Sequence, residues 1–127
     1  MSEKTLQRAV CDYLRFQYPD VLFNSDMAGA MKLTIGQAVQ IKSLRSNRGF
    51  PDIAIFEPKG KYHGLFIELK KEGEKLTKKD KVTPISDHVF EQMICIEKLN
   101  SKGYLSRFAI GFEDAKSIID WYMIGNF

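Results

Sequence analysis

The sequence predicts an α/β fold, a mixed central β-sheet flanked by helices in the order α-β-α-β-β-α-β-α. Three observations lead there. Residues 3–17 and 87–102 repeat apolar side chains at helical spacing. Residues 52–56 and 65–70 alternate with the period of a strand, joined by a turn rich in Pro58, Gly60 and Gly64. One more strand pattern, residues 104–110, and one more helix pattern, residues 113–123, complete the chain.

Each element has its own reason. In the first helix Leu6, Val10, Tyr13 and Leu14 recur at helical spacing, Ser2 is the candidate N-cap, and Pro19 stops the pattern. Val21 to Phe23 reads as a short strand and residues 26–32 as a loop. Thr34 and Gln37 form a capping box that starts a second helix, with Ile35, Ala38, Val39 and Leu44 near one face and Gly49 ending it. Residues 71–86 are polar and read as a mobile segment. The helix from Asp87 closes at Gly103, placed as a C′ glycine.

Composition sets the frame for the chemistry. A chain of 127 residues, 44% hydrophobic and 12% aromatic, fits one packed domain spanning residues 1–127. Its apolar runs are far shorter than a membrane span, and residues 1–20 lack a signal-peptide core, so a soluble intracellular protein with no membrane partner is expected. Cys11 and Cys95 are expected to stay reduced, and with His63 and His88 they have no zinc-like spacing. The net charge of +3 permits nucleic-acid binding without arguing for it.

The hairpin carries the chemistry. Alternation puts Asp52, Ala54 and Phe56 on one face, and Phe66, Glu68 and Lys70 on one face of the next strand. A turn centred near residues 60–61 pairs Asp52 with Lys70, Ala54 with Glu68 and Phe56 with Phe66, while Ile53, Ile55, Ile67 and Leu69 fill the opposite face. An ordinary salt bridge would explain Asp52 and Lys70, but an exposed pair contributes only about 0.2–1 kcal/mol. These strands are apolar on both faces, and a buried charge cluster is costly unless it has a task. Two carboxylates so placed suit a hard cation, Mg²⁺ or Mn²⁺, and a neighbouring lysine suits a water or a phosphate oxygen.

Pro51-Asp52, followed sixteen positions later by Glu68-Leu69-Lys70, resembles the PD-(D/E)XK nuclease signature. More narrowly, "SEKTLQRAVCDYLR", "RGFPDI", "FIELKK" and "EQ…LNSKGY" resemble the stand-alone virus-type replication-repair nuclease (VRR-NUC) domain over residues 3–110. The resemblance implies a restriction-endonuclease-like core and metal-dependent phosphodiester cleavage, with Asp52, Glu68 and the Leu69 carbonyl as metal ligands and Lys70 as a catalytic residue. It implies an acidic residue from the N-terminal helix, here Glu3, at the metal and in catalysis. It also places Gln92 at the edge of the site. Branched DNA, especially a four-way junction, is the implied substrate, and the cytoplasm of a bacterium or of a virus-carrying host cell the implied setting.

The residues themselves leave plainer readings open for both helix positions. Glu3 could serve only the helix dipole, worth roughly 0.3–1 kcal/mol. Gln92, on an apolar flank with Val89, Ile96 and Leu99, could be an amide satisfying a backbone group. Residues 70–81 hold six lysines against Glu72, Glu74 and Asp80, so Lys71, Lys75, Lys78 and Lys79 are candidate phosphate contacts. Gln7, Lys42, Arg45 and Arg48 are further candidates for nucleic acid. The rival functions are a catalytically silent nucleic-acid-binding module and a sequence-specific restriction-type nuclease. One D…ExK set in a chain that must nick two strands implies a homodimer, through residues 118–127 or through residues 27–46 with Met27, Met31 and Leu33.

Overall fold

Ile53, Ile55, Leu65, Ile67 and Leu69 all point to one side of a four-stranded sheet and are buried there with the apolar stripes of the first and last helices. Each such side chain contributes roughly 1.5–3 kcal/mol when withdrawn from water. The computed structural model describes residues 1–127, the side chains of residues 29 and 30 excepted. Its strands are β1 (Phe23–Ser25), β2 (Ile53–Ile55), β3 (Leu65–Lys70) and β4 (Leu105–Ile110), side by side in that order. β1–β2 and β2–β3 are antiparallel and β3–β4 is parallel.

The helices are α1 (Glu3–Gln17), α2 (Met27–Ala30), α3 (Ile35–Ser43), α4 (Asp87–Ser101) and α5 (Phe112–Ile124). α1 and α5 bury Leu6, Val10, Leu14, Ala115, Ile118, Ile119 and Tyr122 against the isoleucine face. They are joined at the rim by Asp120, which accepts hydrogen bonds from both Tyr13 and Tyr18 and from Lys116. α4 lies on the opposite face over β4, where the Asn100 amide bridges the backbone N–H and carbonyl of Ser106 at 2.7 and 3.1 Å.

The predicted α/β architecture and the caps hold. The Ser2 hydroxyl accepts from Thr5 N–H, and Thr34 and Gln37 form the reciprocal capping box. Gly103, at φ +94°, follows α4. Cys11 and Cys95 are free and buried. Among the described residues no helix is long and apolar enough to cross a membrane.

Four local expectations are corrected. The first strand is Phe23–Ser25, two residues later than read, because Phe23, not Val21, pairs with Ile55. Residues 27–30, read as loop, form the short helix α2, capped by the Asp26 carboxylate on Ala28 N–H at 3.0 Å. α3 ends at Ser43 rather than at Gly49. Residues 71–86 are tied into an irregular hairpin by a Thr77–Pro84 bridge and by Asp80, which accepts from Val82 and Thr83.

The strand register is also corrected, and this matters for the site. Ala54 faces Phe66, not Glu68, and Ile53 faces Ile67, a shift of two residues from the predicted pairing. The parity survives, so the faces are as expected. One step further along the same register, Asp52 lies opposite Glu68 instead of Lys70. The turn is two residues shorter on the β3 side than read, with Lys59 and Tyr62 closing it.

Candidate active site

On the α4 side of the sheet the side chains fall into rows. Asn24, Ala54, Phe66 and Ser106 make one row across the four strands. The next row brings Asp26, Asp52 and Glu68 side by side, with Asp26 N–H bonded to the Asp52 carbonyl at 2.7 Å. Lys70 is one row beyond. These residues line an open cleft of about 600 Å³ whose far wall is α4 with His88 and Gln92, and whose mouth carries Glu3 and Glu74.

Asp52 is fixed in place through the backbone of the opposing strand. Its Oδ2 accepts the Leu69 N–H at 2.9 Å. Within a strand a residue's N–H and C=O face the same neighbour, so the Leu69 carbonyl also lies on the Asp52 side. Glu68 is 4% exposed and Lys70 5% exposed. Burial first, then the hydrogen bond to Asp52 and its charge, push the Glu68 carboxyl up to about 11, with Lys70 opposing the shift. Of the two carboxylates, Glu68 is the more deeply buried and the one whose ionisation that burial opposes.

Glu3 is raised above the usual carboxylate range, by burial and then by Glu74 beside it, and Lys70 and Asp52 also act on it. Among the described residues no three His, Cys, Asp or Glu side chains stand together as a metal-holding group. Asp52 and Glu68 thus form a pair, with Glu3 at the rim.

Gln92 is 3% exposed, and its Nε2 lies 3.2 Å from His88 Nε2, one turn earlier on α4. Its Oε1 is buried without a partner. A buried unpaired acceptor costs about 1–3 kcal/mol, so a purely structural amide would be poorly served here. Gly49 explains how α4 comes so close. It sits at φ +80°, and a Cβ there would be 2.7 Å from the Gln92 backbone nitrogen.

The cleft brings together Glu3, Arg45, Asp52, Glu68, Lys70, Lys75 and Gln92. Arg45 is bound to Asp26 at 2.6 Å, so its charge is partly answered. Lys42 and Arg48 line an adjoining hollow that shares Arg45, Gly49 and His88 with the cleft, and Arg48 approaches Glu91 at 3.9 Å. Lys71, Lys78 and Lys79 are exposed but do not line the cleft. Gln7 is a correction. It is buried, and its amide donates to Ser25 Oγ and to the Asp26 carbonyl at 2.8 Å, tying α1 to β1 instead of facing a nucleic acid. The hollow that Gln7 lines, about 660 Å³, holds one carboxylate, Asp26, and no pair.

Asp26 and His88 were not singled out from the sequence. Asp26 could have been found by its place as the N-cap before Ala28, and His88 by its spacing of four from Gln92 on one helix.

No protein-family model matches the chain, and no curated protein matches it. Among solved structures, one described as a VRR_NUC domain protein superposes with a TM-score of 0.69 at 24% identity, covering 98% of this chain and 90% of that one. The chain has the VRR-NUC fold. A second structure, described as a VRR_NUC domain, gives a TM-score of 0.50 at 18% identity over 92% of this chain and 97% of that one. On the VRR-NUC fold of this chain, the acidic row lies where α4 leaves the sheet uncovered, which is what makes the cleft accessible.

Proposed function

We propose that the protein is a Mg²⁺- or Mn²⁺-dependent endonuclease of the VRR-NUC type that cuts branched DNA as a homodimer. The observation that carries this reading is the juxtaposition of Asp52 and Glu68 across β2 and β3 beside the buried Lys70, in an open cleft.

The donor set fits a small hard cation. Asp52, Glu68 and the Leu69 carbonyl would hold it, an all-oxygen set that leaves positions for water, as Mg²⁺ prefers. Burial raises the Glu68 carboxyl in the metal-free protein, and a cation held there would offset that shift. When bound, such an ion polarises the scissile phosphate and stabilises the charge that develops on it. Glu3 at the rim acts through water. Lys70 holds the attacking water or a non-bridging phosphate oxygen, and its ammonium offsets charge at phosphorus. Gln92, in the α4 wall of the cleft, orients that water through its side-chain amide. Arg45, Lys75 and the exposed Lys42, Arg48, Lys71, Lys78 and Lys79 approach the phosphate backbone from either side.

The dimer rests on where apolar surface is left over. In the C-terminal stretch, Ile118, Ile119 and Tyr122 are used up in the protein's own core, and of the exposed Trp121, Ile124 and Phe127 the two rings stack on each other. By contrast α3 buries none of its residues, and Ile35, Val39 and Leu44 stand exposed beside Met27 and Met31. That surface is the interface we assign. The deciding experiment places plain duplex, a flap and a four-way junction side by side with and without Mg²⁺. Metal-dependent cuts confined to branched DNA support the reading. Binding without cleavage points to a silent module, and discrete fragments from linear duplex point to a restriction-type enzyme.

A further inference from the structure

The row of the sheet farthest from Lys70 differs sharply from the acidic row. Continuing the registers of the four strands, it comprises Leu22, Phe56, Gly64 and Tyr104, fixed by bonds from Phe56 N–H to the Leu22 carbonyl and from Leu105 N–H to the Gly64 carbonyl. Phe66, in the next row, stacks on Tyr104 with centroids 5.1 Å apart and meets Phe56 edge-on at 6.2 Å. Packing explains two of these rings. Phe66 and Tyr104 each come within 3.8 Å of where Gly64 would carry a Cβ, so they cover a glycine that has no side chain of its own. It does not explain Phe56, 53% exposed, or Leu22, 73% exposed.

Two independent observations indicate what would cover them. The first is charge. The segments framing the row, residues 57–66 and 97–107, contain five cations, Lys59, Lys61, Lys98, Lys102 and Arg107, against two carboxylates, Glu57 and Glu97. The second is continuity with the cleft. Phe66 precedes Glu68 by two residues on the same face of β3, about 7 Å, and Phe56 lies about 13 Å from Asp52 along β2. One duplex strand advances 3.4 Å per nucleotide, so the aromatic rows begin about two nucleotides from the carboxylates.

We propose that Phe56, flanked by Leu22 and backed by Phe66 and Tyr104, is a stacking site for unpaired bases next to the point of cleavage, with the lysine rim on their phosphates. A polyanion with flat apolar faces matches both the ring and the charge. This rests on the nuclease reading of the cleft. It adds to it a reason for preferring branched DNA: only a branch offers unstacked bases at that distance.

The test uses the full chain in EDTA, with a DNA flap carrying 2-aminopurine two to four nucleotides from the branch and a fully paired duplex of equal length. Wild type is expected to change the 2-aminopurine fluorescence on binding the flap. Phe56→Leu should lose that change and bind the flap roughly five- to a hundredfold more weakly, with duplex affinity unaltered and Phe56→Trp restoring both. Equal flap affinity and equal fluorescence change for wild type and Phe56→Leu overturn the proposal, and a lowered melting temperature with that result shows a packing ring only. Cleavage of the unlabelled flap in Mg²⁺ is scored separately. A protein that stacks the bases but never cuts keeps this site and loses the nuclease reading; one that cuts with no Phe56 effect does the reverse. A wild type that neither binds nor cuts removes both.

Discussion

The backbone N–H of Leu69 points at Asp52 Oδ2 from 2.9 Å, so the strand that carries Glu68 also clamps the carboxylate opposite it. Asp52 can rotate away only by breaking that bond, and its position therefore follows the hairpin register.

Asp52→Asn keeps an acceptor for Leu69 and should fold normally, yet cleavage should fall at least about a hundredfold, as it should for Glu68→Gln and Lys70→Ala. Single-turnover rates on a flap substrate, together with circular dichroism, make the comparison. Substantial Mg²⁺-dependent turnover by Glu68→Gln would remove Glu68 from the mechanism.

The raised Glu68 carboxyl has a definite sign. In the unfolded chain this glutamate ionises near its ordinary value, 4.5, whereas in the folded, metal-free protein it stays protonated to about 11. Its contribution is thus fully present below pH 4.5 and is lost as pH rises through that window, by up to about 1.4 kcal/mol per pH unit. Glu68→Gln should flatten the alkaline decline in melting temperature in EDTA. Binding of Mn²⁺ at pH 7 should release close to one proton, measurable by calorimetry in buffers of different ionisation enthalpy. Tight binding with no proton release would show that Glu68 is not a ligand.

Gln92 and Gly49 separate site chemistry from packing. Gln92→Leu keeps the volume and removes a buried unpaired acceptor, so stability should hold or rise by about 1 kcal/mol while cleavage slows at least tenfold. A loss of stability with unchanged specific activity would mean that the amide is structural. Gly49→Ala is the opposite case. A Cβ at 2.7 Å from the Gln92 backbone, on a residue at φ +80°, should destabilise by roughly 1–3 kcal/mol or more. Because it pushes α4 away from the sheet, activity should fall too, and chemical denaturation beside cleavage rates will show both effects.

The exposed α3 face sets up the fourth test. If the proposed dimer forms through this face, wild type should have a dimeric mass by light scattering at micromolar protein and make paired incisions in a cruciform plasmid, and Val39→Asp should be a monomer that makes single nicks. Trp121→Asp, near the C-terminus, should leave the mass unchanged. A wild type of monomeric mass that nicks efficiently would eliminate the dimer.

Long, periodic elements were legible in the sequence because their reasons are local: α1 from its stripe and cap, α4 from its stripe and Gly103, β3 from its alternation. The Asp52–Glu68–Lys70 face was legible because parity survives a register error of two. The register itself was not, since it depends on where the Lys59–Tyr62 bridge closes the turn. β1 was misplaced because three residues at a sheet edge carry too little periodicity to locate. Gln7 misled for a different reason: a glutamine in an apolar stripe can satisfy a distant backbone, and the Asp26 carbonyl it reaches is nineteen positions away. In α3 the sequence places Ile35, Ala38, Val39 and Leu44 near one face, and nothing in one helix reports whether a partner element exists to cover it.

β3 serves two masters along six residues. Leu65, Ile67 and Leu69 belong to the core, and Phe66, Glu68 and Lys70 to the opposite face, where the last two line the cleft. A slip of the strand by one residue would turn both sets over at once, and a residue inserted or deleted within it would do so for every side chain beyond the change. Length changes in this strand are therefore barred to evolution and to the engineer alike, while the hairpin turn at 57–63, which joins the strands without setting their parity, is the place where variants of this molecule can differ in length.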